Sequence, residues 1–355
     1  MTSRERVRTA LTHRPTDRVP RLLYEEAIGY TPPIERMLRE HCAPKSPRDY
    51  FNMDITSVTF QPTALPRARF APWLAASTEM SQVDEWGVWW RGGGFYHFAH
   101  IESPLRGVQD FARLKEYPWP DLDQSYRYDG LRKRVEELHR QGFAVAAFAG
   151  SVFEQSWYIR GLEQLMMDMA VEKEIAHFFF ERTAAFQQHA AAEYARAGVD
   201  IIITGDDIAG QNGLLMSLET WREFLKPRLA ATVRAVKAAN PDSFVFYHSD
   251  GNVEPAIPDL IETGIDILNP VQPECMDPAV IKQRYGDRLS FWGTVSVQRT
   301  MPFGTPADVR AEVRARIRDV GRGGGLILAP AHVLGPETPW ENVVAFFEAA
   351  DETKL

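Results

Sequence analysis

The stretch Phe244-Val-Phe-Tyr-His-Ser-Asp-Gly251 places an imidazole and a carboxylate two residues apart, directly behind a run of strand-forming residues. Side chains alternate along an extended chain, so His248 and Asp250 share a face if that geometry persists. Such a pair can move protons near neutral pH, or bind a divalent metal through nitrogen and oxygen. The structural alternative is a loop histidine held by a neighbouring carboxylate. Comparable polar groups close other apolar runs: Tyr24 and Glu25, Gln61, Asp206 and Asp207, Asn269 and Gln272, and His332. Two histidines with one to three carboxylates suit zinc, and they equally suit acid/base work. Asp206 and Asp207 could instead cap a helix, and His332 could make a loop hydrogen bond. Cys275, a few residues past a run, is an optional metal ligand or an inert small side chain.

The elements that must position these groups are legible as alternating runs. Strand-like segments begin near residues 19, 54, 143, 199, 243, 266, 289 and 325, most separated by helical stretches. Their continuous apolar character predicts strands buried on both faces of a parallel sheet. Thr2 and Glu5 have the spacing of a capping box ahead of Val7, Ala10 and Leu11. Helices are expected over residues 162–196, with a break near Ala170, and over 218–239. The count predicts a single α/β domain, a (β/α)8 barrel over residues 1–355 with its site at the strands' carboxyl ends. Residues 62–128 interrupt the rhythm as an insertion after the second strand. There Trp89 and Trp90 precede Gly92, Gly93 and Gly94, which predicts a hairpin near the barrel mouth with one tryptophan packed inward.

Composition removes several classes of function. With 40 basic and 48 acidic residues the net charge is −8, and without a basic cluster nucleic acid is not expected as a partner. Two cysteines, no signal peptide and no long apolar run lead us to expect a cytoplasmic protein without membrane association. No glycine-rich phosphate loop opens a helix.

Several motifs together resemble the uroporphyrinogen decarboxylase superfamily: Ser3-Arg-Glu-Arg-Val-Arg-Thr-Ala-Leu11, Asp17-Arg-Val-Pro20, Gly205-Asp-Asp207, Tyr247-His-Ser-Asp-Gly251, Gly264-Ile-Asp-Ile-Leu-Asn-Pro-Val-Gln272 and Pro330-Ala-His332. The resemblance spans essentially the whole chain and implies a (β/α)8 barrel. It also implies one of two chemistries: cofactor-free decarboxylation of uroporphyrinogen, or zinc-dependent methyl transfer involving corrinoid proteins. The decarboxylases carry an Arg-Gln-Ala-Gly-Arg-Tyr motif where this chain reads Leu23-Tyr-Glu-Glu-Ala-Ile-Gly-Tyr30. Their essential aspartate falls on Gln61, and their active-site tyrosine on or beside Trp157, next to Tyr158. In the methyltransferases a His-x-Cys pair and a distant Cys bind zinc, and those positions here are His248, Asp250 and His332.

The resemblance therefore implies a zinc-dependent methyltransferase of the demethylase kind, with His248, Asp250, His332 and optionally Cys275 as ligands. Asp206, Asp207, Gln272, Tyr24 and Glu25 are the expected catalytic groups, with Glu25 or Asp207 as further candidates for the metal. The implied partners are a small methylated substrate and a separate corrinoid protein, with a homodimer as an option for assembly. The alternatives are a metal-free decarboxylase acting on a small acid and a non-catalytic ligand-binding barrel.

Overall fold

Thr2 and Glu5 form the expected capping box, and the helix they start, Ser3–Leu11, buries Val7, Ala10 and Leu11. The computed structural model describes residues 1–23, 29–95 and 98–353, with side chains outside 93–99. Its main sheet holds seven parallel strands in sequential order, here β1 Ile55–Ser57, β2 Ala144–Phe148, β3 Ile201–Gly205, β4 Phe244–His248, β5 Ile267–Asn269, β6 Ser290–Val295 and β7 Leu326–Pro330. Each pairs only with its sequence neighbours in this sheet. Ile201, Ile202 and Ile203 of β3 are at most 2% exposed, as expected of strands covered on both faces.

The expected first strand, from residue 19, is a correction. Among the described residues it contributes an isolated parallel bridge between Arg21 and Leu328 rather than a strand. Pro20 has no N–H to donate to a ladder. The segment still reaches both edges of the sheet: Leu22 N donates to Leu328 O at 3.1 Å, and Asp54 N donates to Arg21 O at 3.0 Å. The second strand is shorter than expected, because the chain leaves the ladder after Val58 and Phe60 N turns to the Tyr194 hydroxyl.

Two buried carboxylates hold the strands' amino ends. Asp54, just before β1, pairs with Arg6 at 2.7 Å and Arg18 at 2.6 Å. Asp200, just before β3, pairs with Arg4 at 3.0 Å, Arg8 at 3.1 Å and His139 at 2.8 Å. The N-terminal arginines and Asp17, which bonds Arg6 at 2.6 Å, thus tie the first helix under the sheet.

Helix breaks fall close to their expected places or reveal missed ones. The 162–196 region divides into Leu162–Val171 and Lys173–Ala197. The 218–239 region divides into Leu218–Phe224 and Lys226–Ala239, where Pro227 occupies the first turn of the second helix. The aromatic hairpin joins Trp89–Phe95 to Phe98–Glu102 in antiparallel register. Gly92, Gly93 and Gly94 are not its turn, as the sequence suggested; they lie within the first strand, where the register shifts between Arg91 and Phe95. Trp90 meets Tyr158 edge-on at 5.1 Å, while Trp89 lies under Arg91.

Candidate metal centre at the carboxyl ends of the strands

β4 delivers His248 at its last position, and the following Ser-Asp-Gly turn folds Asp250 back toward it. That turn requires glycine at position 251: φ is +83°, and a Cβ would lie 2.5 Å from Gly210 O. β3 and β4 also approach so closely that a Cβ at Gly205 would lie 2.5 Å from His248 O. His332, just beyond β7, completes the group. One ligand atom from each of His248, Asp250 and His332 lies within 4.8 Å of the others. Asp250 stands between the imidazoles, with Oδ1 3.9 Å from His248 Nε2 and Oδ2 3.9 Å from His332 Nε2.

The orientation of His248 is fixed from behind. Asn269, at the end of β5, donates its amide to Trp292 O at 2.8 Å, which turns its Oδ1 toward His248 Nδ1 at 2.5 Å. His248 Nδ1 is therefore the donor, and Nε2 faces Asp250. A metal-ligating histidine carries this kind of support on its second nitrogen. Burial opposes a charge on His248, but Asp250, Asp207, Asn269 and Glu154 outweigh it and raise its pKa to about 9 in the metal-free protein. Nitrogen and oxygen donors about 2.0–2.2 Å from a tetrahedral zinc sit roughly 3.4 Å apart, so the set, at 3.9 Å to either Asp250 oxygen and up to 4.8 Å across, contracts on binding the ion. Two imidazoles and a carboxylate with room for a fourth ligand fit zinc.

Asp207 lies beside this group, with Oδ1 3.5 Å from His248 Nε2 and accepting from Asp250 N at 2.7 Å. Asp206 takes the capping role instead: Oδ1 accepts from Val152, Phe153 and Glu154 amides at 2.9, 2.6 and 3.1 Å, holding the start of helix Phe153–Arg160. Its residue is only 5% exposed. Gln272 is also buried, its Oε1 accepting from Gly251 N at 3.1 Å, so it supports the Asp250 turn. Cys275 does not join the three-residue group; burial, Glu274 and Asp250 raise its thiol pKa, which keeps it protonated at neutral pH. Gln61 sits apart, in a separate depression beside Arg127 and Arg134. Tyr24 and Glu25 lie outside the described residues.

The helix capped by Asp206 supplies a group the strand-end reading missed. Glu154 and Tyr158, one turn apart, bond at 3.0 Å and line a cavity of about 270 Å³ with Asp207, His248 and His332. Burial and Asp207 push the Glu154 carboxyl up to about 7. Its sequence signal was the i, i+4 polar pair just after the β2 strand end. No arginine or lysine is among the described residues lining this cavity. Arg21 points elsewhere, pairing with Asp351 at 2.6 Å. A larger depression of about 750 Å³, between Gly29 and Pro47, lacks such a cluster, and its Glu35 and Arg39 pair with each other at 2.9 Å.

Comparison with known proteins agrees with this architecture. The family described as Uroporphyrinogen decarboxylase (URO-D) matches residues 88–353. The chain is 25% identical over 358 residues to uroporphyrinogen decarboxylase of Legionella pneumophila, covering 97% of this chain and 95% of that protein. It is 30% identical over 204 residues to the methylcobamide:CoM methyltransferase MtaA of Methanosarcina barkeri, covering 55% of this chain and 57% of that one. A methyltransferase from Methanosarcina mazei shares the fold, with a TM-score of 0.67 at 20% identity over 99% of both chains. No helix among the described residues is long and apolar enough to cross a membrane. The chain belongs to the uroporphyrinogen decarboxylase family.

Proposed function

We propose that this family member is a zinc-dependent methyltransferase acting on a small methylated substrate, with a separate corrinoid protein as its partner. The observation carrying the reading is the His248–Asp250–His332 group with its 4.8 Å span. The similarity to a methylcobamide:CoM methyltransferase supports it. The same reading takes the chain as one closed (β/α)8 barrel, because the Arg21 segment bonds to both edges of the sheet.

His248, Asp250 and His332 would hold the metal, whose contribution when bound is Lewis-acid polarisation of the atom that bears or accepts the methyl group. Asn269 keeps the His248 lone pair directed at the site by engaging the other ring nitrogen. Asp207 stands next to His248 as a further carboxylate, able to hold a proton or a substrate donor. Glu154, titrating at about 7 and bonded to Tyr158, is suited to give or take a proton at the heteroatom that loses the methyl group.

A decarboxylase reading has the near full-length similarity to uroporphyrinogen decarboxylase in its favour. Against it, the cavity offers no arginine or lysine to a polycarboxylate among its described lining residues, and these are the side chains that hold such substrates. The test is to incubate zinc-loaded protein with cob(I)alamin and small methyl ethers or methylamines, following methylcob(III)alamin by its absorbance, and separately with uroporphyrinogen under anaerobic reducing conditions. Methyl transfer that disappears in His248→Ala, without coproporphyrinogen formation, is the expected result. Coproporphyrinogen production at roughly one turnover per second would overturn the reading.

A further inference from the structure

A second cavity of about 190 Å³ adjoins the one at the metal ligands, and the two share Phe148, Ser151 and Gln155. Phe148 is 38% exposed at the end of β2, although Ala144, Val145, Ala146 and Ala147 before it are at most 2% exposed. One side of the second cavity is aromatic, where Phe60, Trp86 and Phe186 join Phe148 with Leu122 beside them; Glu85, Thr183, Gln187 and the shared Ser151 and Gln155 supply its polar lining. Trp86 and Phe186 stand edge-to-face at 5.4 Å, which fixes their rings as a rigid wall. A cavity of about 150 Å³ lined by apolar side chains accepts benzene, so the space suits one ring and little more.

Charge decides between a neutral and a cationic occupant. Glu85 is the carboxylate bordering this cavity; Arg127 pairs with it at 2.8 Å and with Asp121 at 2.7 Å, and Arg69 donates to the Glu85 carbonyl at 2.9 Å, so two guanidiniums stand against the two carboxylates. Arg127 also stacks over Phe60 at 4.8 Å. An aromatic cage that selects ammonium groups gains from uncompensated negative charge, and here that charge is taken. At the junction, the Gln155 amide nitrogen is buried without a hydrogen-bond partner among the described residues. An acceptor on an incoming ring would relieve that unmet donor.

We propose that the second cavity is a subsite for a single neutral aromatic ring. The substrate is then a small ring compound carrying a hydrogen-bond acceptor, with its methyl-bearing substituent extending toward His248, Asp250 and His332. This rests on the methyltransferase reading for what happens to the methyl group, but not for the binding of the ring.

Calorimetric titration of the zinc-loaded protein tests it, without corrinoid or acceptor, so a failure of ring binding is distinguishable from a failure of methyl transfer. The probes are 2-methoxyphenol, 2-methoxyethanol as the ring-free ether, and phenyltrimethylammonium as the cation. The expected result is saturable binding of 2-methoxyphenol with Kd below about 1 mM, at least about tenfold tighter than either comparator. Leu122→Trp, which fills the cavity, should weaken it by at least about tenfold while zinc content stays that of the wild type. If that variant does not fold, Phe186→Ala, which removes one wall, serves with the same expectation. Absence of saturable ring binding, equal binding of the ring-free ether, preference for the cation, or an unaffected folded variant would each overturn the proposal.

Discussion

His248 shows how a residue becomes suited to a metal through what lies behind it. Asn269 commits Nδ1, and Asp250 lies 3.9 Å from Nε2. Asn269→Ala should therefore lower zinc affinity about 10–100-fold, read by competition with a chromogenic chelator, whereas unchanged affinity would deny Asn269 this role. Protonation gives a second expectation for the metal-free protein. Glu154 titrates at about 7 when folded, against an ordinary 4.5, because burial and Asp207 disfavour its charge. Its contribution to stability is fully present below about pH 4.5 and is lost as pH rises through about 7. His248, raised to about 9 from 6.5 chiefly by Asp250 and Asp207 against its burial, extends the decline in the same direction over pH 6.5–9. Glu154→Gln should flatten the lower window by on the order of a few kcal/mol, measured by denaturant titration of metal-free protein across pH 4–8. An unchanged pH profile would count against the perturbed carboxyl.

Elements decide how the functional atoms meet, and β4 with its turn is the decisive one. Gly251 has φ +83° and no room for a Cβ beside Gly210 O. Gly251→Ala should cost on the order of 1–3 kcal/mol and reduce zinc binding with it, because Asp250 rides on that turn; full zinc occupancy in the variant would contradict this. The turn also marks what the sequence revealed. His248, Asp250 and His332 were legible because each follows an apolar strand, and strand ends converge in a parallel fold. Asp206 followed the same rule, yet its carboxylate caps helix Phe153–Arg160; capping and catalysis ask for the same residue at the same place. Glu154 and Asn269's support of His248 were hidden because they depend on packing between distant segments. The glycines at 92–94 read as a turn but form a bulged strand, since glycine favours both.

At the scale of the whole molecule, the strands' two ends divide labour. The amino ends are tied by buried ion pairs, with Asp54 at 0% exposure between Arg6 and Arg18. Removing one partner of such a pair costs about 3–5 kcal/mol. Asp54→Ala should therefore lower stability by that amount in urea unfolding and leave zinc stoichiometry intact, since the site lies at the other ends of the strands. Loss of zinc in folded Asp54→Ala protein would mean the two ends are coupled. The N-terminal Arg-x-Arg and Asp-Arg motifs are thus explained by the fold, and the proposed site is assembled by helix Phe153–Arg160 and by the carboxyl ends of the strands from β3 onward. The account stands most directly on the metal content of the purified protein, measured by elemental analysis together with zinc titration of chelator-treated wild type and His248→Ala. It predicts one zinc per chain in the wild type, restored after chelation, and no stable binding by His248→Ala. No bound metal and no uptake by the treated wild type would contradict it.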